Sequence, residues 1–253
     1  DLRPFKGIER GLEGFLDYCE ERLPQKEKSK RVQDPYTVRC VPQILGGVFE
    51  NLDYLEHQLV TEFNSVSDNP LFIPEKDLYL STGNFHGQPI GIAMDSATVS
   101  VSVMTNLLER QANRIINPNI SSFPPFLTEG EGVNSGYMLV QYSMAAIANK
   151  NSTLASPSSV HNVPVSGDQE DMVSMAGNSA LNFYESVKNL KSGLALYGLT
   201  IYRASLFQSR TFRKKGAELL SQLSEILSDS KKDYYFKEDA EKMEDFIDKF
   251  IGG

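Results

Sequence analysis

From Gln88 to about Asn113 the chain passes through small and apolar residues with no strong polar face until Glu109 and Arg110. A helix of that kind cannot lie on a water-facing surface, so it has to run deep in a bundle or an assembly. Other segments supply helical neighbours. A long helix is predicted to begin at Pro35, with Asp34 as N-cap, and Ile44, Leu45, Val48, Leu52, Leu55, Leu59 and Phe63 keep one apolar stripe until the turn signals at 64–70. Tyr137 to Leu154 resumes helical spacing with Met138, Leu139, Tyr142, Ala145, Ala146 and Ala148, and its small residues permit close helix contact. A further helix is expected from near Gln169 to about Arg210, with a break allowed within it. Its stripe includes Val173, Met175, Leu181, Phe183, Val187, Leu190, Leu194 and Leu199. The expected fold class is therefore mainly α, a long-helix bundle. Such helices expose too much apolar surface alone, which makes oligomerisation through a shared helical core the natural remedy.

The remaining segments fill in around this frame. Apolar residues at helical spacing predict a helix over Ile8 to Leu23 that stops at Pro24, and 25–31 reads as a charged connector. Gly46-Gly47 inside the second helix marks close packing. Short apolar pairs on either side of Glu75-Lys76-Asp77 predict a small hairpin over 71–81. Asn117 to Pro125 and Ala155 to Gly167 are ordered loops, and Lys214 to Leu227 and Glu238 to Phe250 form a peripheral amphipathic pair. With no internal repeat and no convincing linker, residues 1–253 read as one helical portion, central over about 35–210 and peripheral over about 211–253.

Charge narrows the partners. Lys plus Arg number 25 against 33 for Asp plus Glu, a net charge of −8, which disfavours a sequence-independent hold on nucleic acid or on an acidic membrane face. The two cysteines, Cys19 and Cys40, lack metal-ligand spacing and read as packing residues in a reducing compartment. No signal-peptide pattern and no uninterrupted apolar run of membrane-spanning length is found, so a cytoplasmic protein with small-molecule or protein partners is expected.

Polar residues gather in three places. In the first, Tyr36 and Arg39 lie three apart on one helical face beside Gln33. They read either as parts of an ordinary capped helix or as a phenol and a guanidinium fork, near a helix start, able to hold a carboxylate and move a proton. The second is Gly83-Asn84-Phe85-His86-Gly87, where two glycines frame an amide, an aromatic ring and an imidazole: a plain turn, or a close approach to a ligand. In the third, Ser166 to Asp171, Ser166 and Gln169 have capping-box spacing, while Glu170 in an apolar cleft is a candidate base. Long helices can present all three to one cleft. His57 reads as solvated and His161 as a loop residue, and no zinc set or phosphate-binding glycine loop is found.

Read in order, these stretches resemble the histidine ammonia-lyase family, which includes phenylalanine and tyrosine ammonia-lyases and aminomutases. The likeness rests on Arg-Val-Gln-Asp-Pro-Tyr-Thr-Val-Arg-Cys-Val-Pro-Gln at 31–43, Asn-Ser-Val-Ser-Asp-Asn-Pro-Leu at 64–71 and Gly-Asn-Phe-His-Gly at 83–87. It continues in Pro-Pro-Phe-Leu at 124–127, Ser-Gly-Tyr-Met-Leu-Val-Gln-Tyr at 135–142 and Gln-Glu-Asp-Met-Val-Ser-Met at 169–175. Each motif is modest, but six in the family's order are highly specific. The resemblance implies a fumarase/aspartase-like helical fold, a homotetramer with active sites drawn from several subunits, and an electrophilic 4-methylidene-imidazol-5-one group made from an internal Ala-Ser-Gly. It makes Tyr36 and Glu170 candidate catalytic groups, with Gln33, Arg39, Phe85 and Gln169 on the substrate and Asn84 and His86 in support. Arg39 would grip the substrate carboxylate, and a tyrosine base would be helped by positive neighbours.

The sequence departs from the pattern twice. No Ala-Ser-Gly occurs in it, so the chain reads as the C-terminal portion of such an enzyme, inactive by itself and dependent on the N-terminal portion. Position 172, where many histidine and tyrosine lyases carry His, is Met172. The implied reaction is deamination of L-histidine to urocanate and ammonia. Tyrosine or phenylalanine lyase, aminomutase and a non-catalytic scaffold subunit are the alternatives.

Overall fold

A computed structural model describes residues 6–10, 12, 33–208 and 214–252. Its helices are α1 (Tyr36–Arg39), α2 (Val41–Phe63), α3 (Gln88–Ile116), α4 (Met138–Leu154), α5 (Ala176–Ser205), α6 (Lys214–Ser224) and α7 (Lys237–Gly252). Residues 6–10 are helical, and the rest of the helix expected to reach Leu23 lies, apart from residue 12, outside the described residues. A two-stranded antiparallel hairpin, β1 (Leu71–Ile73) and β2 (Leu78–Leu80), sits where it was expected.

The helix predicted to start at Pro35 and run unbroken is in fact two. Pro42 has no N–H to give the Val38 carbonyl, and its ring crowds that carbonyl, so the chain turns at Cys40 and α2 starts afresh. Pro35, not Asp34, occupies the N-cap position.

Helix α3 is the axis of the bundle. Asn51 on α2 donates to the Ser96 carbonyl (2.6 Å) and to Ser100 Oγ (2.7 Å), while Leu55 packs on Ala93 and Ala97, so α2 runs antiparallel to α3. Helix α4 is antiparallel too: Gln141 donates to Asn113 Oδ1 at 2.7 Å, and the fully buried Asn151 donates to Thr105 Oγ1 at 2.9 Å. Helix α5 is parallel, starting against Gly91 and passing Thr105 at Gly193. Among the described residues, by length and composition, α3 alone is apolar enough to cross a membrane, but it carries the buried Asp95 and Glu109 and packs on three helices, as a core helix does.

At the far end of α3, Ile116, Leu127, Val140, Met144, Leu199 and Met243 form the main core, closed by α6 and α7. The fully buried Arg203 is set into it, donating from Nε to the Leu127 carbonyl at 2.8 Å and lying over the rings of Tyr137 (5.2 Å) and Tyr234 (5.7 Å). Of the glycine pair expected to mark close packing only Gly46 does so: a Cβ there would meet Ile8 at 2.5 Å, whereas one at Gly47 would point into open space.

Helix α5 begins at Ala176, not near Gln169. Ser166, Gly167 and Asp168 all take left-handed backbone (φ 52°, 61° and 66°), which turns the chain back on itself. Ser166 consequently caps no helix, and 169–175 runs from the turn at Gln169 through irregular backbone to a left-handed Met175 (φ 50°). The peripheral pair matches the sequence expectation to within a turn.

Candidate functional site

The Pro35 carbonyl accepts from the N–H groups of Val38 and Arg39 at 3.0 Å each and closes α1 as a single turn. On that turn the Arg39 guanidinium lies over the Tyr36 ring, 4.6 Å from its centroid. Tyr36 is 67% exposed, and Gln33 and Arg39 are exposed beside it. Phenol and guanidinium therefore meet as predicted. The expected help from a long helix's positive end is missing, because α1 is one turn long and Arg39 stands in its last turn. Gln111 on α3 donates to the Thr37 carbonyl at 2.6 Å and ties this turn to the C-terminal part of α3.

Phe85 occupies the other end. The His86 N–H donates to the Gly83 carbonyl at 3.0 Å, closing a turn that leaves Phe85 58% exposed. Asn84 Nδ2 donates to the Val66 carbonyl just beyond α2, and the Asn84 N–H reaches Thr82 Oγ1 at 3.3 Å. His86 Nε2 is 3.0 Å from the Met172 carbonyl, which can only accept, so this nitrogen carries the hydrogen. The contact joins the second cluster to the third. Gly91 allows the same approach, since a Cβ there would stand 3.3 Å from the backbone of Ser174 and Ala176.

In the third cluster Val165 and Glu170 exchange backbone hydrogen bonds at 3.0 and 3.3 Å around the left-handed turn. Ser166 Oγ donates to Glu170 Oε1 at 3.1 Å. Gln169 and Glu170 are exposed, so within this chain Glu170 does not lie in the apolar cleft expected for it. Among the described residues no group of three or more His, Cys, Asp or Glu is placed to hold a metal ion.

Between Gln88 and Gln111 helix α3 rises about 35 Å, at about 1.5 Å per residue. A single copy of the chain thus fails to bring the three clusters to one cleft. Gln33, Tyr36 and Arg39 stand at one end, and Asn84, Phe85, His86, Gln169 and Glu170 at the other. Topology is the reason. Residues preceding α2 arrive at the end of α3 opposite to the one reached by the hairpin that follows α2.

Some residues that shape the second end were not singled out in the sequence. Asp95 Oδ2 accepts from the Ser159 N–H at 2.7 Å, Gln88 Nε2 donates to the Ser159 carbonyl at 3.2 Å, and Asn162 holds the backbone around Met172. Nothing in a Ser- and Pro-rich loop distinguishes Asn162 until its partners are placed.

A sequence profile described as aromatic amino acid lyase matches residues 1–228. The chain belongs to this family. The "Probable histidine ammonia-lyase" of Thermoplasma volcanium is 38% identical over 225 residues, covering 89% of this chain and 45% of the relative. Histidine ammonia-lyase from Trypanosoma cruzi superposes with a TM-score of 0.86 at 28% identity, over 99% of this chain and 47% of that one. Tyrosine aminomutase from Streptomyces globisporus gives 0.85 at 30% identity, over 98% and 51%. The chain spans about half the length of the curated relatives it matches. Its mainly α, long-helix bundle is the architecture of the aromatic amino acid lyases, a family characterised by the methylidene-imidazolone electrophile and by small amino-acid substrates.

Proposed function

We propose that this chain is the C-terminal portion of a carbon–nitrogen lyase that removes ammonia, without oxidation, from an aromatic amino acid, converting L-histidine to urocanate. The observation that carries the reading is Arg39 stacked on Tyr36 in an exposed turn. A planar guanidinium held in this way presents its donors to a carboxylate in bidentate fashion and fixes the substrate's α-carbon next to the phenol oxygen. Deamination breaks one Cβ–H and the Cα–N bond and forms the carbon–carbon double bond. Tyr36, acting as the phenolate, takes the β-proton and becomes the phenol, and Gln33 offers its amide to the amine. Phe85 packs on the reacting centre. Gln169 and Glu170 line the side-chain pocket, where a carboxylate beside an amide suits a ring bearing N–H or O–H donors and so favours histidine or tyrosine over phenylalanine.

The family's electrophile supplies the activation that makes the amine a better leaving group. This chain has no Ala-Ser-Gly from which to make it, so that segment belongs to the N-terminal portion. What the chain offers the group is the exposed Phe85 ring on its glycine-framed turn and the exposed Arg39–Tyr36 pair. Because the two ends of α3 are so far apart, a complete site takes Tyr36 and Arg39 from one copy and Phe85 and Glu170 from another, in a homotetramer.

The test is to supply the N-terminal portion and follow urocanate and ammonia release from L-histidine, with Tyr36→Phe and Arg39→Ala as inactive controls that still assemble. Absence of ammonia from histidine, tyrosine and phenylalanine alike rejects the reading and leaves a scaffold subunit. The likeness to tyrosine aminomutase favours a second reading, in which ammonia returns to the β-carbon. A β-amino acid among the products identifies it.

A further inference from the structure

The antiparallel pairing of Val165 with Glu170 places Asn162 opposite Val173, three residues further from the turn. Had the ladder continued, Val163 and Met172 would form its next hydrogen-bonded pair. Instead the Asn162 side chain takes over. Its Oδ1 accepts from the Val173 N–H at 2.7 Å and its Nδ2 donates to the Asp171 carbonyl at 2.6 Å, so one amide brackets Met172 from both sides. The Met172 carbonyl, released from the ladder, receives the Nε2–H of His86. The root of the Asn162 loop is fixed as well, because Ser159 is held through its N–H by the buried Asp95 and through its carbonyl by Gln88, both on α3.

These bonds form a closed circuit from the start of α3 through Ser159, Asn162 and Met172 to His86 and back to α3. Phe85 and Glu170 are each one or two residues from a member of that circuit. We propose that Asn162 is a positioning residue: its amide latches the 171–173 backbone to its own loop, which Ser159 anchors on α3, and so holds the Met172 carbonyl where His86 meets it, setting the relative placement of Glu170 and Phe85 in the active site. The proposal rests on the lyase reading above. An amide is required, because one donor and one acceptor must be presented to two backbone groups of opposite character. Aspartate keeps the acceptor but sets an oxygen against the Asp171 carbonyl, and alanine provides neither.

The experiment is a double-mutant cycle in the complete enzyme with Asn162→Ala, Asn162→Asp and Glu170→Gln, combined with amide hydrogen exchange of Val173. Asn162→Ala is expected to lower kcat/KM roughly 10- to 100-fold, the scale of a misplacement of about 1 Å in a reacting array. Asn162→Asp should recover only part of this. In the Glu170→Gln background Asn162→Ala should have much less effect, because the two act through one placement. Val173 exchange should rise at least about tenfold. Fully multiplicative effects of the two substitutions, or unchanged Val173 exchange in Asn162→Ala, overturn the proposal while wild-type activity keeps the lyase reading. An inactive wild-type enzyme overturns the lyase reading and the positioning role with it, even where the exchange result shows the latch. Should Asn162→Ala fail to assemble, the same two outcomes are read from Asn162→Asp.

Discussion

If Arg39 and Phe85 reach a given active site from different copies, two inactive variants must rescue each other. On the proposed reading Arg39→Ala removes the carboxylate grip, a loss of about 2–5 kcal/mol for a desolvated charge pair and so on the order of 30- to 5,000-fold in activity. Phe85→Ala removes the ring that the same reading packs on the reacting centre. Each homomeric variant is therefore nearly silent. Co-expressed in equal amounts with free mixing, a site drawing the two groups from different copies is intact in both with a chance of about one half times one half, so about a quarter of wild-type activity returns. Were both groups supplied by one copy, no site would be intact. Mixing wild type with the doubly substituted chain gives the converse check: about a quarter of full activity for groups from different copies, about a half for groups from one copy. The assay is urocanate absorbance per active-site equivalent after confirming equal incorporation by mass spectrometry. No rescue in the first mixture and half activity in the second would refute the reasoning from the length of α3.

Other perturbations probe the bundle itself, each in the complete protein. Arg203→Met leaves the Leu127 carbonyl without its donor but also removes a buried charge, so it should destabilise by about 2 kcal/mol; Arg203→Lys should be worse, since a compact ammonium is harder to desolvate and has no fork. Urea unfolding midpoints decide, and a lysine variant as stable as wild type would contradict the geometry. Burial pushes the phenols of Tyr137 and Tyr234 up, and they are hydrogen-bonded to each other at 2.9 Å. Folded pKa values above the unfolded one mean stability that is intact below about pH 10 and falls above it, by about 1.4 kcal/mol per pH unit for each proton the unfolded chain releases first. Tyr137→Phe should flatten that alkaline slope in unfolding measured from pH 9 to 11. Gly136 has φ 55° and a Cβ there would lie 2.4 Å from the Phe126 carbonyl oxygen, so Gly136→Ala should cost well over the 1–2 kcal/mol or so of left-handed strain alone. Gly132→Ala, at φ 86° but in open space, should show only the strain, and equal melting temperatures for the two would count against the close approach.

Helical periodicity is a local property, and it placed α2, α4, α5 and the faceless α3 along the chain. The buried face was read less well: on α4 it is Val140, Met144, Ala148 and Asn151, while the expected Leu139 and Tyr142 are exposed, and on α5 Leu181 and Val187 are exposed too. Two boundaries were misread for reasons that are also local but compete with that pattern. Pro42 breaks the helix that the stripe carries through, and three successive left-handed residues override the capping-box spacing at Ser166. The candidate site divides in the same way. Tyr36 beside Arg39, and Phe85 beside His86, follow from spacing along the chain.

Which of these groups share an end of the bundle was not legible, because it depends on the direction in which α2 returns along α3, and a side-chain pattern carries no sign of direction. Asn162 was hidden for a related reason: a loop amide has no periodicity, and its meaning comes from the backbone groups that a distant segment lays beside it. The sequence by itself thus determined that the chain is built of long helices and about where most of them run, but not which stripe residues a single copy buries: Phe63, Leu139, Tyr142 and Leu181 are all exposed. Tertiary structure alone decided that the candidate groups stand at two ends about 35 Å apart, since a rigid helix rising about 1.5 Å per residue turns modest separation in sequence into a distance no side chain can span.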